Sequence, residues 1–337
     1  MKHKLLTALL VTTVSAMVCL GCGGGAKKAP AAKKDGVNWP TKPVQLVVPF
    51  TAGGDTDYNA RVMAKYLEKK LGKPFTVTNV VGGGGAIADN RVKNAANDGY
   101  TILVNHVTLN LSAASKVIDY NFKEYEMGCV FASCIGDALL VRGDSPWNSV
   151  KDMIEDTKAH PGKYKIAANT GTTSHYVAIS LQNAGAKFNV VDSGGSADRL
   201  VALLGGHVDV IPASLPAVKD YLKTGKLKAL AVLTPNKVKL YSQYPTLKES
   251  GVDCAYTYNY TMFFPKGTNP AIAEKLAAAI KDIVDNDKNY AAEIKKAYLQ
   301  DPFCMNRADS TKHWDAELAN VMKISDKLQG KITKEKK

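Results

Sequence analysis

Two short polar loops hold the residues of this chain best suited to chemistry. The first is Thr51, Ala52, Gly53 and Gly54, with Asp57 just behind them. The second is Asn169, Thr170, Gly171, Thr172, Thr173 and Ser174. Each follows a short apolar run and precedes a stretch of helical periodicity. Backbone N–H groups at a helix start lack partners within the helix, and the helix dipole makes the space above them attractive to an anion. Both loops therefore predict recognition of an anion by N–H groups and hydroxyls, with Asp57 also suited to cap its helix. Asp55 sets a second carboxylate beside the first loop, where it either weakens anion binding or accepts an ammonium group. A third polar set, Gly195, Ser196 and Asp198, also opens a helix. A carboxylate such as Asp198 is favoured in a first helical turn on its own account. His106 and Thr108 follow another apolar run and are candidate ligand contacts. Gly84 lies in the run 82–85, which fails as a dinucleotide fingerprint. A G-x-G-x-x-G frame from Gly82 meets Ile87, and a frame from Gly83 meets Ala88.

These loops need strands and helices to hold them. Strands are expected at 44–50, 75–80 and 100–104, with helices at 57–71 and 86–96 between them. In the first helix Ala60, Met63, Ala64, Leu67 and Leu71 share a face, and Gly72 is placed to end it. A second alternating series has strands at 165–168, 188–191, 208–211 and 227–233, with helices at 174–184, 197–204 and 214–223. Alternation of this kind predicts α/β architecture with parallel sheets. Asn269 and Pro270 open a further helix with Ile272, Leu276, Ile280 and Ile283 on one face, and a last helix carries Trp314, Leu318 and Val321. The segments 138–141 and 258–264 fit neither series.

The stretch WPTKPVQLVVPFTAGGDTDYNAR contains PFxxGGxxDxxAR. Downstream, NDGYTIL, GTTSH, LLGGHVD, TGKLKALAV and YPTLKESG follow in order. This ordered series resembles the substrate-binding receptors of tripartite tricarboxylate transporters, the Bug-type receptors, from about Trp39 to Trp314. The resemblance implies two Rossmann-like α/β domains joined by paired crossing strands, which would be 138–141 and 258–264, the type 2 periplasmic binding protein fold. Domain 1 would be 39–138 and 258–330, and domain 2 would be 141–256. It also implies an interdomain cleft that captures a small carboxylate (a di- or tricarboxylate, an aromatic acid or an amino acid). Delivery would be to the membrane permease subunits of such a transporter. A monomer is expected. The chain departs from the pattern YKGxxPA, with Ser193 and Gly194 at the Tyr-Lys positions and Asp198 at the proline. The substrate of a relative therefore cannot be carried over. A sensory lipoprotein feeding a membrane kinase and a secreted enzyme on a similar fold are the alternatives. No GxSxG elbow, HExxH helix or Rossmann fingerprint supports the enzyme, so no catalytic residue or cofactor is expected.

Lys2, His3 and Lys4 precede an apolar run at 5–20, and Gly21 precedes Cys22. This reads as a lipoprotein signal peptide over 1–21, with Cys22 lipidated and anchoring the chain to the membrane. Residues 22–38 read as a flexible tether and 331–337 as a basic tail. Of the formal charge of +13, Lys2 and Lys4 supply two. Four tether lysines against Asp35 supply three, and five tail lysines against Asp326 and Glu335 supply three, leaving +5 for residues 36–324. That excess suits an anionic ligand or lipid surface and is too diffuse for nucleic acid. Cys129, Cys134, Cys254 and Cys304 show no CxxC pair and no zinc spacing, so no metal site is expected. Outside the cytoplasm Cys254 and Cys304 have the option of a disulfide; free buried thiols are the alternative.

Overall fold

The computed structural model describes residues 37–134 and 136–329. The signal peptide, nearly all of the tether, Cys22 and the basic tail lie outside the described residues.

Among the described residues, ten strands form two five-stranded sheets. They are β1 (Val44–Val48), β2 (Phe75–Asn79), β3 (Thr101–Asn105), β4 (Tyr125–Cys134), β5 (Asp137–Arg142), β6 (Lys165–Ala167), β7 (Asn189–Val191), β8 (Val210–Ser214), β9 (Leu227–Val232) and β10 (Tyr258–Pro265). The first sheet runs β2-β1-β3-β10-β4 and the second β7-β6-β8-β5-β9. Each has three parallel strands and then an antiparallel one, β10 in the first and β5 in the second. The strands are short and apolar because helices cover both faces, as parallel sheets require. Val44, Leu46, Val47, Val48, Ile102, Leu103 and Val104 are fully buried.

The chain passes from the first sheet to the second between Cys134 and Asp137, and returns between Val232 and Tyr258. The expectation that 138–141 and 258–264 pair with each other is corrected here. β5 lies between β8 and β9, and β10 lies between β3 and β4. β10 pairs with β3 on one side and, on the other, with β4, a strand not expected from the sequence. Its run YEMGCVFASC has little alternation, because nearly all of it is buried on both faces.

Helix Asp55–Leu71 ends on Gly72 in the left-handed conformation at φ 72°, whose N–H donates to the Glu68 carbonyl. Its inward face carries Ala60, Met63, Ala64 and Leu67. Helix Pro270–Asn286 is capped by Asn269, whose side chain accepts from the Ala271 N–H, and it buries Ile272, Leu276, Ile280 and Ile283. Trp314, on helix Arg307–Met322, is fully buried; its indole donates to Thr261 Oγ1 at 2.9 Å and packs edge-on against Phe263. These contacts fasten the C-terminal helix to β10. All four cysteines beyond position 22 are free thiols, three of them buried, and Cys129 and Cys134 share β4. Among the described residues no helix is long and apolar enough to cross a membrane.

Candidate ligand-binding cleft

A pocket of about 590 Å³, open solvent included, opens where the carboxyl ends of β1, β3, β6 and β7 meet. Ligands of open α/β sheets sit at such ends. The first-sheet half supplies Pro49, Phe50, Gly54, Asp55, Thr56, Val81, Gly82, Gly84, Gly85, His106, Thr108 and Tyr258. The second supplies Asn169, Thr172, Thr173, Gly194, Gly195, Ser196 and Arg199.

The halves touch across this space. Thr51 Oγ1 donates to Asp198 Oδ2 at 2.6 Å, and Ser112 Oγ donates to the Gly171 carbonyl at 3.0 Å. Gly84, at φ +65°, packs so tightly that a Cβ there would lie 2.3 Å from the Thr170 carbonyl oxygen. Only glycine permits that approach.

Of the sixteen ligand-contact residues expected from the sequence, nine line the pocket: Gly54, Gly84, His106, Thr108, Asn169, Thr172, Thr173, Gly195 and Ser196. The other seven stand behind or beside it. Ala52 and Gly53 are exposed on the outer side of the turn. Asp57 is buried under that turn, accepting from Gly53 N–H and Arg61 Nε through Oδ2 and from Asn79 through Oδ1. Burial pushes its carboxyl up, but the bonds from Arg61, Gly53 and Asn79 outweigh this and hold it below the ordinary range. Thr51 and Asp198 are spent on each other, and Asp198 also accepts from Gly195 N–H at 2.9 Å. Thr170 presents its carbonyl to Gly84. Ser174 Oγ accepts from Asn169 N–H.

Several lining residues escaped the sequence reading. Arg199 is 6% exposed, and its guanidinium donates to the Gly194 and Pro212 carbonyls at 3.1 and 3.4 Å. A signal existed: Ser196, Arg199 and buried Leu203 share one helical face. Tyr258 belongs to an alternating run, Tyr256, Tyr258 and Tyr260. Their hydroxyls meet Asp137 (2.9 Å), Thr173 (2.7 Å) and Asp55 (2.5 Å) respectively. Period-two spacing puts all three on one face of the extended segment that leads into β10.

His106 stacks on Phe50 at 5.1 Å and lies 4.4 Å from the Tyr258 ring. Burial, reinforced by the nearby Arg199 charge, lowers its pKa to about 3, so the ring is neutral. Its Nδ1 accepts from Thr108 N–H at 3.3 Å, leaving Nε2 as the ring donor. Burial raises Asp55 above the ordinary carboxylate range, against the pull of Tyr260, two backbone amides and Arg199.

A family model described as the tripartite tricarboxylate transporter family receptor matches residues 59–329. The chain belongs to this family. It is 33% identical over 300 residues to a UPF0065 protein of the gbd 5′ region of Cupriavidus necator, covering 87% of this chain and 88% of that one. It is 32% identical over 263 residues to Protein BugT of Bordetella pertussis, covering 76% and 80%. Among solved structures, periplasmic binding protein BugD matches with a TM-score of 0.77 at 27% identity, over 88% of this chain and all of that one. An R. palustris protein with adipate matches with a TM-score of 0.76 at 27% identity, over 86% and 98%. The fold is that of periplasmic binding proteins, and family and fold are those of extracytoplasmic solute-binding receptors, not of enzymes.

Proposed function

We propose that this receptor captures a small carboxylate (a di- or tricarboxylate, an aromatic acid or an amino acid) between two lobes, 39–138 with 258–330 and 141–256. It then delivers the ligand to the permease subunits of a tripartite tricarboxylate-type transporter. The observation that carries this reading is a pocket with polar residues on both walls, lined from both halves of the chain. Because each half contributes contacts, ligand binds the closed arrangement better than the open one and shifts the population toward it. The adipate in a relative at 27% identity supports a carboxylate. Cys22 would hold the receptor at the membrane through lipid, beside the permease.

A thermal-shift screen over di- and tricarboxylates, aromatic acids and amino acids tests capture. A ligand at 100 times its dissociation constant stabilises the folded state by about 2.7 kcal/mol. The hit is then followed as uptake into proteoliposomes holding the permease, with and without receptor. Receptor-independent uptake would remove the delivery role. Cys22→Ser is expected to shift the protein from the membrane to the soluble fraction. Unchanged fractionation would remove the anchor.

A further inference from the structure

The two sides of the pocket differ in charge preference. On the first-sheet side, the amides at the start of helix Asp55–Leu71 are already taken by the chain itself. Gly53 N–H donates to Asp57 and Gly54 N–H to the Thr51 carbonyl, and the Asp55 and Thr56 amides favour the charged form of the Asp55 carboxyl. An incoming carboxylate would find two protein carboxylates in the place where the turn otherwise offers donors. Of these two, Asp55 lines the pocket. It is 9% exposed, and Tyr260 is the side chain bonded to it. That side suits a cation.

The second-sheet side is the reverse. Arg199 lines the pocket, is nine-tenths buried, and its Nε has no hydrogen-bond partner. Its bonds go to main-chain carbonyls and leave its charge without a bonded carboxylate. A buried guanidinium is costly until an anion reaches it. Asn169, Thr172 and Thr173, at the start of helix Thr173–Asn183, line the same side and add polar groups that favour an anion. Asp55 therefore stands in one pocket wall and Arg199 in the opposite wall. Neither charge belongs to the family pattern quoted above: Asp55 is outside it, and Arg199 takes the alanine of YKGxxPA.

Resting on the reading that this cleft is the ligand site, we infer that the pocket selects a zwitterion, an α-amino acid. Its ammonium meets Asp55 and its carboxylate meets Arg199. A dicarboxylate would satisfy Arg199 and set its second charge against Asp55. A zwitterion satisfies both, and like-charge exclusion gives the specificity.

The test uses the whole mature chain and calorimetry with the twenty common L-amino acids, succinate, glutarate and adipate. At least one amino acid is expected to bind, and its des-amino analogue is expected to bind at least about tenfold more weakly, as loss of a charge-assisted bond implies. Asp55→Asn keeps the shape and should erase that discrimination. Arg199→Lys keeps a charge and should retain part of the affinity that Arg199→Met loses. Binding of dicarboxylates without amino acids overturns the zwitterion and leaves the cleft reading intact. Equal binding of amino acid and des-amino acid by the parent also overturns it. Binding of a probe that neither Asp55→Asn nor Arg199→Met alters, in folded protein, overturns the cleft reading itself.

Discussion

The hydroxyl of Thr51 lies 2.6 Å from Oδ2 of Asp198, joining two residues 147 positions apart in the chain. The bond ties the loop after β1 to the first turn of helix Ser196–Leu204, so it exists only when the two halves are together. It sits at the rim and not in the pocket lining. Since neither side chain lines the pocket, the bond is expected to favour the closed arrangement.

Thr51→Val removes this bond while leaving the Asp198 cap on Gly195. Because the pair is exposed, its net worth is about 0.5–1.5 kcal/mol, and ligand affinity is expected to fall about two- to twelvefold. Calorimetry on Thr51→Val, Asp198→Ala and the double variant checks this. The losses should be less than additive. Strictly additive losses would show that the two side chains act separately.

Gly84→Ala is expected to block closure. A Cβ at Gly84 meets the Thr170 carbonyl at 2.3 Å, whereas a Cβ at Gly53 meets nothing within 4 Å. Both glycines have positive φ, so Gly53→Ala carries the same kind of backbone strain without the collision. Small-angle scattering with ligand should show compaction for Gly53→Ala and none for Gly84→Ala. Equal compaction of both would mean the halves close by another route.

Stability is expected to fall as pH rises from about 7 to about 8. Burial, then the Asp55 charge, raises Asp137 to about 7, and burial raises Asp89 and Glu317 to about 8. Unfolded, these groups titrate at 3.8 for the aspartates and 4.5 for the glutamate. In this window the folded state holds protons that the unfolded state has released, so each rise in pH favours unfolding. One fully linked proton is worth about 1.4 kcal/mol per pH unit. His106, lowered to about 3 by burial and then by Arg199, acts in the opposite sense only up to its unfolded value of 6.5. Urea midpoints at the two pH values check the sign, and Glu317→Gln should flatten the slope. Greater stability at pH 8 than at pH 7 would contradict the assignment.

Much of the fold was legible because apolar runs and helix caps are local signals. Helix Asp55–Leu71 falls within two residues of expectation and ends on the expected Gly72, and helix Pro270–Asn286 starts at the expected Asn269 cap. β4 was not legible, since a strand buried on both faces has neither alternation nor a fixed flank. At the cleft, the polar loops were visible as strand-to-helix turns. What filled them was not. Whether Gly53 N–H faces a ligand or the Asp57 carboxylate depends on side-chain direction, which spacing does not encode. Arg199 was missed for a related reason. An arginine on a surface-like helix reads as solvated, and only the burial of Leu203 on the same face marks it as inward.

The placing of β10 governs how the chain can mature. β3 and β4 are not neighbours in the first sheet: β10 lies between them, and β4 joins the sheet through β10 alone. Strand β10 begins at Tyr258, after all strands of the second sheet have been made. A nascent chain can complete the second sheet while the first remains an open three-strand ribbon beside a lone β4. Exposed edges of that kind invite pairing with other chains. The late arrival of one strand thus leaves the first sheet incomplete, with β4 unpaired, until residue 265 has been made.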